Sequence, residues 1–274
     1  MFEKIMAAMP DKSEIQQIQT RYRIQLAEAW QLKPGMRLLE IGAGQGDMTA
    51  VLAAFVGKTG KVVAVDTAAG DYGAPLTLGE SQQALKHSAL GPQIDFHLET
   101  DVTDGTWDFP PAFFDGIVIS HASWYFQDAT LLERLLKTIA PWTKAFYIAE
   151  WQLAVTRQAQ IPHYQAVLLQ AQIEAFRDTS ESNIRTLFLP ADFQQLLEKL
   201  DFTEQHLTYF EETSLQDGSW EVGYLQAEGT QLIQTLTVPE KYRFTLLQQL
   251  HLLQQYEAPA VESLGTFALR AHRT

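Results

Sequence analysis

Apolar positions along the first half of the chain alternate between two periods. From Ser13 to Leu32, the residues Ile15, Ile18, Tyr22, Leu26 and Trp30 recur near helical spacing, and Pro34-Gly35 stops the run, so residues 1–33 read as a leading helical segment. Met36 to Ile41 is a short apolar stretch bounded by Pro-Gly and by glycines, the pattern of a strand covered on both faces. After Gly46 come Met48, Val51, Leu52, Phe55 and Val56 on one helical face, with Asp47 in the first turn and Gly57 just past the end. The alternation continues with strands expected at Lys61 to Asp66, Ile94 to Leu98, Phe114 to Ser120 and Lys144 to Glu150. Helices are expected around Ser81 to Ser88 and after a cap at Asp128, the latter carrying Leu131, Leu132, Leu135, Leu136 and Ile139.

Five strands alternating with amphipathic helices require right-handed crossovers and a parallel sheet, with the ligand crevice beyond the strands' C-terminal ends. Past Trp151 the pattern changes. A helical stretch from Ile161 to Phe176 and a polar loop from Arg177 to Arg185 read as an insertion over residues 152–189, placed to act as a lid. A helix opened by Pro190 carries Phe193, Leu196, Leu197 and Leu200. Phe202 to Phe210 and Gly265 to His272 read as two further strands, and residues 212–260 as a second helical insertion with a helix around Pro239 to Tyr256. The expected fold is α/β and doubly wound: a seven-stranded, mostly parallel sheet with helices on both faces, forming one domain over residues 1–274.

Composition narrows the chemistry. The 274 residues carry a net charge of -13 with no basic run, which disfavours nucleic acid as a partner. The chain has no cysteine, so disulfides, thiolate nucleophiles, zinc-thiolate sites and Cys-ligated iron-sulfur clusters are absent. His87, His97, His206, His251 and His272 show no paired metal-ligand spacing, and no metal is expected. Neither an apolar signal core nor a membrane-length run is present, so a soluble, cytoplasmic protein with no membrane partner is the expectation, with a homodimer as the candidate assembly.

The informative motif is Glu40-Ile41-Gly42-Ala43-Gly44-Gln45-Gly46-Asp47, a glycine-rich turn between a buried strand and a helix N-terminus. Its spacing is G-x-G-x-G rather than the G-x-G-x-x-G of dinucleotide sites. Glu40, at the strand's end, repels a diphosphate and suits an ammonium group. Asp66 ends the second strand, 26 residues beyond Glu40, where an acid can meet ribose hydroxyls. Leu38 to Thr49 together with Val62 to Asp66 resemble the first two motifs of the class I S-adenosylmethionine-dependent methyltransferases, and the resemblance covers roughly the first half of the chain plus two terminal strands.

The resemblance implies S-adenosylmethionine as cofactor. It places Glu40 and Gly42 near the methionine part, Gly44 and Gly46 against the cofactor backbone and Asp66 on the ribose. Asp101 falls beside the adenine amino group, with Asp104 as a competitor. Ala43 and Gln45 in the turn, Thr67 and Val102 beside the acids, and Ser120 at the end of strand four complete the cofactor set. A methyl on sulfonium is already activated, so transfer to a small-molecule acceptor needs alignment and, for a hydroxyl or ammonium, proton removal. His121 is the candidate base, with a substrate-contacting role as the alternative. Trp124, Tyr125, Glu150, His163 and Tyr164 are candidates for the acceptor wall. Two other readings stay open: a nicotinamide-dependent oxidoreductase on a similar sheet, and a non-catalytic S-adenosylmethionine-binding protein.

Overall fold

The computed structural model describes residues 1–180, 182–257 and 260–273. Its elements run, in chain order, α1 (Phe2–Ala8), α2 (Glu14–Ala29), β1 (Arg37–Ile41), α3 (Asp47–Val56), β2 (Lys61–Val65), α4 (Leu78–Lys86), β3 (Ile94–His97), β4 (Gly116–Ser120), α5 (Ala129–Ile139), β5 (Ala145–Trp151), α6 (Ile161–Glu174), α7 (Pro190–Glu198), β6 (Glu204–Phe210), α8 (Asp217–Thr235), α9 (Glu240–Leu253) and β7 (Thr266–His272). The seven strands form one sheet in the order β3-β2-β1-β4-β5-β7-β6. β1 to β5 pair in parallel, and β7 runs antiparallel to both β5 and β6.

This order fixes where a ligand can sit. From β1 the chain winds outward through β2 and β3, then crosses back so that β4 lies on β1's other side, in register Glu40 against Ala64 and against Val118. The reversal leaves a crevice beyond the C-terminal ends of β1 and β4, because the two following connections leave in opposite directions. Helix α3 fills the space behind that crevice: Met48 through Ala54, and Val56, are buried, and Gly57 ends the helix at a φ of 65°. On the other face Leu132, Leu135, Leu136 and Ile139 of α5 are buried, and Asp128 caps the helix by accepting from the backbone N–H groups of Thr130 and Leu131.

Two features depart from the reading of the pattern. Ile15, expected on the inner face of α2, is 40% exposed, whereas Tyr22, Leu26 and Trp30 are buried as spaced. The second insertion holds two long helices rather than one. α8 contains Gly218, Gly223 and Gly229, which lower helix propensity and blur its periodicity, yet Gly229 is where Leu250 of α9 packs within 2.9 Å of a would-be Cβ. With α6, these helices enclose a separate small core built on Leu169, Ile173, Val222, Leu225, Ile233, Leu246 and Leu250. Among the described residues, no helix is long and apolar enough to cross a membrane.

Candidate active site

The turn after β1 is stitched to β2. Backbone N–H groups of Gly42 and Ala43 both donate to Val65 O, at 2.9 and 3.0 Å. Three glycines then do three different jobs. Gly42, at φ 75°, lets the β4 turn come close, since a Cβ there would stand 2.5 Å from Ala122 Cβ. Gly44, at φ 53°, has nothing within 4 Å of a would-be Cβ and offers bare backbone. Gly46, at φ 92°, packs: a Cβ would meet Leu85 Cδ1 at 2.6 Å and Phe96 Cζ at 3.1 Å. Gly46 and Ala43 therefore shape the turn from behind, and Gly42, Gly44 and Gln45 reach the cavity.

Asp66 holds this surface in place. Its Oδ2 accepts from Gly44 N at 2.7 Å and its Oδ1 from Ala68 N at 2.9 Å, so one carboxylate orders the loops after β1 and β2. Gln82 donates to Gly44 O, and Gln45 donates to Leu76 O, each at 2.7 Å.

Glu40 lies elsewhere than the motif suggests. Its side chain is buried at 1% exposure, accepts a 2.6 Å hydrogen bond from Thr49 Oγ1 on α3, and does not reach the cavity wall. Burial pushes its carboxyl up to about 8, against the bond from Thr49, which pulls it down. Near neutrality the group is thus mostly protonated and braces β1 against α3. A carboxyl whose folded pKa is raised stabilises the fold at low pH and loses that contribution as pH climbs through the folded value. Folding stability is expected to fall by up to about 1.4 kcal/mol per pH unit between roughly pH 5 and 8 from this group. In Glu40→Gln that part of the slope should vanish in chemical denaturation at stepped pH; an unaltered slope contradicts the assignment.

The crevice holds a cavity of about 710 Å³, within the range of small-molecule sites. Its wall gathers Gly42, Gly44 and Gln45 from the first turn, Asp66 and Thr67 from the second, Asp101 and Val102 from the third, and His121, Ala122 and Tyr125 from the fourth. Val65, Val102, Leu131 and Leu135 give it an apolar stretch. Asp101 reaches the wall and accepts from Thr103 N and Oγ1, whereas Asp104 caps its own loop through Thr106 and lies off the wall.

His121 follows β4 with a φ of 51°, an uncommon conformation for a residue with a Cβ. Its Nδ1 lies 3.2 Å from Glu150 Oε1, and its Nε2 lies 2.7 Å from the Tyr22 hydroxyl. Glu150 is buried and also accepts from Ser123 N, Ser123 Oγ and Trp151 N, so it is a fixed acceptor that keeps the proton on Nδ1. Burial raises the Tyr22 phenol above its ordinary value, so Tyr22 donates to Nε2. A carboxylate, an imidazole and a phenol thereby form one hydrogen-bonded row from β5 to α2.

Other expected residues sit outside the cavity. Trp124 is buried and donates from Nε1 to Phe188 O, and Ser120 stays within the end of β4. His163 is buried, accepts at Nδ1 from Leu264 N at 2.9 Å, and is lowered to about 3 by burial, the signature of a neutral packing histidine. Tyr164 packs at the edge of the main core. Helix α6 does not line the cavity; the loop after it does, through Asn183 and Arg185. That loop hangs on the β4 turn, with Arg185 N and Thr186 N both donating to Trp124 O. Neither Asn183 nor Arg185 stands out in the sequence, because a polar loop has no periodicity to mark an inward side chain. Among the described residues, no group of three or more His, Asp or Glu side chains is arranged to hold a metal ion.

An open α/β sheet with bare backbone after its first strand and a carboxylate after its second defines a nucleoside-binding class of protein. Comparison with known proteins specifies the family. The protein-L-isoaspartate(D-aspartate) O-methyltransferase profile matches residues 4–133. A cyclopropane-fatty-acyl-phospholipid synthase-like protein from Lactobacillus casei ATCC 334 is 34% identical, superposes with a TM-score of 0.88, and is matched over 99% of this chain and 98% of its own. Methyltransferase phomM' of Diaporthe leptostromiformis is 31% identical over 122 residues, 38% of this chain and 31% of that protein, so the chain spans about a third of the length of that curated relative. Haemonchus contortus phosphoethanolamine N-methyltransferase 2, solved with S-adenosyl-L-methionine, shares the fold at a TM-score of 0.54 and 13% identity, over 93% of this chain and 53% of its own. The chain belongs to the class I S-adenosylmethionine-dependent methyltransferases.

The cofactor of that family, S-adenosylmethionine, fits the donor set. Bare backbone at Gly44, a carboxylate at Asp66 and an apolar stretch through Val65 and Val102 meet in one cavity.

Proposed function

We propose that this protein transfers a methyl group from S-adenosylmethionine to a small-molecule acceptor. The observation that carries the reading is the convergence of Gly44, Asp66, Asp101 and His121 on one cavity at the sheet's switch point. When bound, the cofactor supplies a methyl already activated on sulfonium. The chain's own work is alignment, exclusion of water and movement of one proton. Asp66 and the first turn hold the cofactor's ribose and methionine regions, and Asp101 with Val102 holds its base.

His121 takes the acceptor's proton at Nε2, the nitrogen that faces the Tyr22 hydroxyl in this structure. Glu150 keeps the other nitrogen protonated and stabilises the imidazolium that forms, through the 3.2 Å Nδ1 contact. An acceptor hydroxyl or ammonium takes the place of the Tyr22 hydroxyl on that nitrogen. The test is release of S-adenosylhomocysteine across a panel of hydroxyl and amine acceptors. His121→Ala should lower turnover on an active acceptor by on the order of a hundredfold while leaving cofactor affinity nearly intact. Undiminished turnover removes His121 as the base; no release with any acceptor favours a binding protein that keeps the cofactor without turnover.

A further inference from the structure

Among the described residues, four formally charged side chains reach the cavity wall: Asp66, Asp101, Arg134 and Arg185. The two carboxylates are engaged by the protein, and each arginine makes one side-chain hydrogen bond to a neutral oxygen. Both oxygens of Asp66 accept backbone N–H groups, Asp101 is bonded to Thr103, and Arg134 donates to Thr103 Oγ1 at 3.3 Å on the same side of the cavity. Arg185 differs. Its Nε donates to Ser182 O at 2.9 Å, which fixes the plane of the guanidinium, but its two terminal nitrogens have no acceptor among the described residues.

The mounting of Arg185 is firm on both sides. Its backbone N–H donates to Trp124 O at 2.8 Å, and the next residue, Thr186, adds an Oγ1 bond to Gln127 O at 3.0 Å. Ser182 in turn donates to Gln170 Oε1 on α6. A guanidinium so anchored loses little further freedom on binding and presents a planar pair of donors suited to a carboxylate or phosphate.

Carboxylates also stand near this end of the cavity, and their partners decide what charge is left over. Glu150 is saturated by Ser123, Trp151 and His121. Glu221 accepts from Gln170 and from Asn183, and burial raises its carboxyl above the ordinary value, which favours the neutral form. Asp217 accepts from Gln19 at 3.1 Å. The Tyr125 ring is 43% exposed at the same wall; partial burial, with Glu221 and Glu150 nearby, pushes its phenol upward, so it keeps its proton and adds a donor. In a chain of net charge -13, a guanidinium turned into a cavity, its terminal nitrogens without an acceptor among the described residues, is the feature that overcomes general repulsion of an anion.

We propose that the methyl acceptor carries an oxyanion, a carboxylate or a phosphate, that docks on Arg185 with Tyr125 beside it, while its nucleophile lies toward His121. This rests on the methyltransferase reading and narrows its substrate class. The test uses protein loaded with S-adenosylhomocysteine, titrated calorimetrically with phenyl phosphate, with benzoate and with uncharged benzyl alcohol. Wild type should bind at least one of the two anions tenfold or more tightly than the alcohol. Arg185→Gln should lose that preference while its affinity for S-adenosylhomocysteine stays within about twofold, and Arg185→Lys should recover part of it. Equal binding of all three probes by wild type, or an anion preference that survives in Arg185→Gln, overturns the proposal. A tenfold loss of S-adenosylhomocysteine affinity in Arg185→Gln also overturns it, because the guanidinium would then serve the cofactor. Wild type that binds no S-adenosylhomocysteine overturns the methyltransferase reading itself.

Discussion

Gly42→Ala is expected to destabilise the fold by roughly 2–5 kcal/mol, whereas Gly44→Ala should cost only about 1–2 kcal/mol. Both positions have positive φ, so each substitution pays for the left-handed backbone. Only position 42 adds a collision, with a Cβ 2.5 Å from Ala122 Cβ, about 1 Å or more inside ordinary carbon contact. Relief of that collision must push the β4 turn away from the β1 turn, and His121 precedes Ala122 directly. At position 44 the new methyl meets nothing in the protein and projects from the surface proposed to receive ligand. The contrast is therefore in kind: Gly42→Ala is a stability variant, and Gly44→Ala is a binding variant that stays folded. Thermal unfolding and calorimetric titration with S-adenosylhomocysteine separate them, and equal melting losses in the two variants would show that the close approach of the turns is not what Gly42 provides.

The second large effect is expected at Asp66. Removing this carboxylate strips the acceptor from two backbone donors at once, Gly44 N and Ala68 N, and releases the two loops that frame the cavity floor. Hydrogen bonds to a charged group contribute roughly 1.5–3 kcal/mol each. Asp66→Ala should weaken S-adenosylhomocysteine binding by on the order of a hundredfold or more, through both the freed loops and loss of the ribose contact proposed for it. Asp66→Asn keeps one carbonyl acceptor but turns an amide donor toward the other N–H, so it should recover little of the loss. Affinity within threefold of wild type in Asp66→Ala would remove the residue from the binding account.

Much of the frame was legible because buried parallel strands are short, apolar and bounded by glycine or proline. β1 to β5 and the helices between them appear at their expected places for that reason; the two terminal strands, antiparallel and with β6 largely exposed, also appear where they were expected. Side-chain direction at the site was less legible. A strand covered on both faces offers no polar alternation to show which way Glu40 points, and only the packing of α3 reveals that Thr49 claims it. His163 follows a proline in a helical insertion, where a lid residue and a core residue look alike; a hydrogen bond from Leu264, distant in sequence, makes it a packing group. Tyr22 was visible as an apolar helix position, but its bond to His121 spans a separation of 99 residues and depends on how α2 packs beside α3 and against β7. Arg185 belongs to a loop whose inward turn is set by two bonds to Trp124 O, a constraint no local pattern carries.

The central claim is that the cavity beyond β1 and β4 accepts a nucleoside joined to an amino acid and not a dinucleotide. Calorimetric titration of the wild-type protein with S-adenosylhomocysteine and, separately, with NADH tests it most directly. Saturable micromolar binding of S-adenosylhomocysteine with no heat from NADH is the predicted result. Micromolar binding of NADH with none of S-adenosylhomocysteine would contradict it.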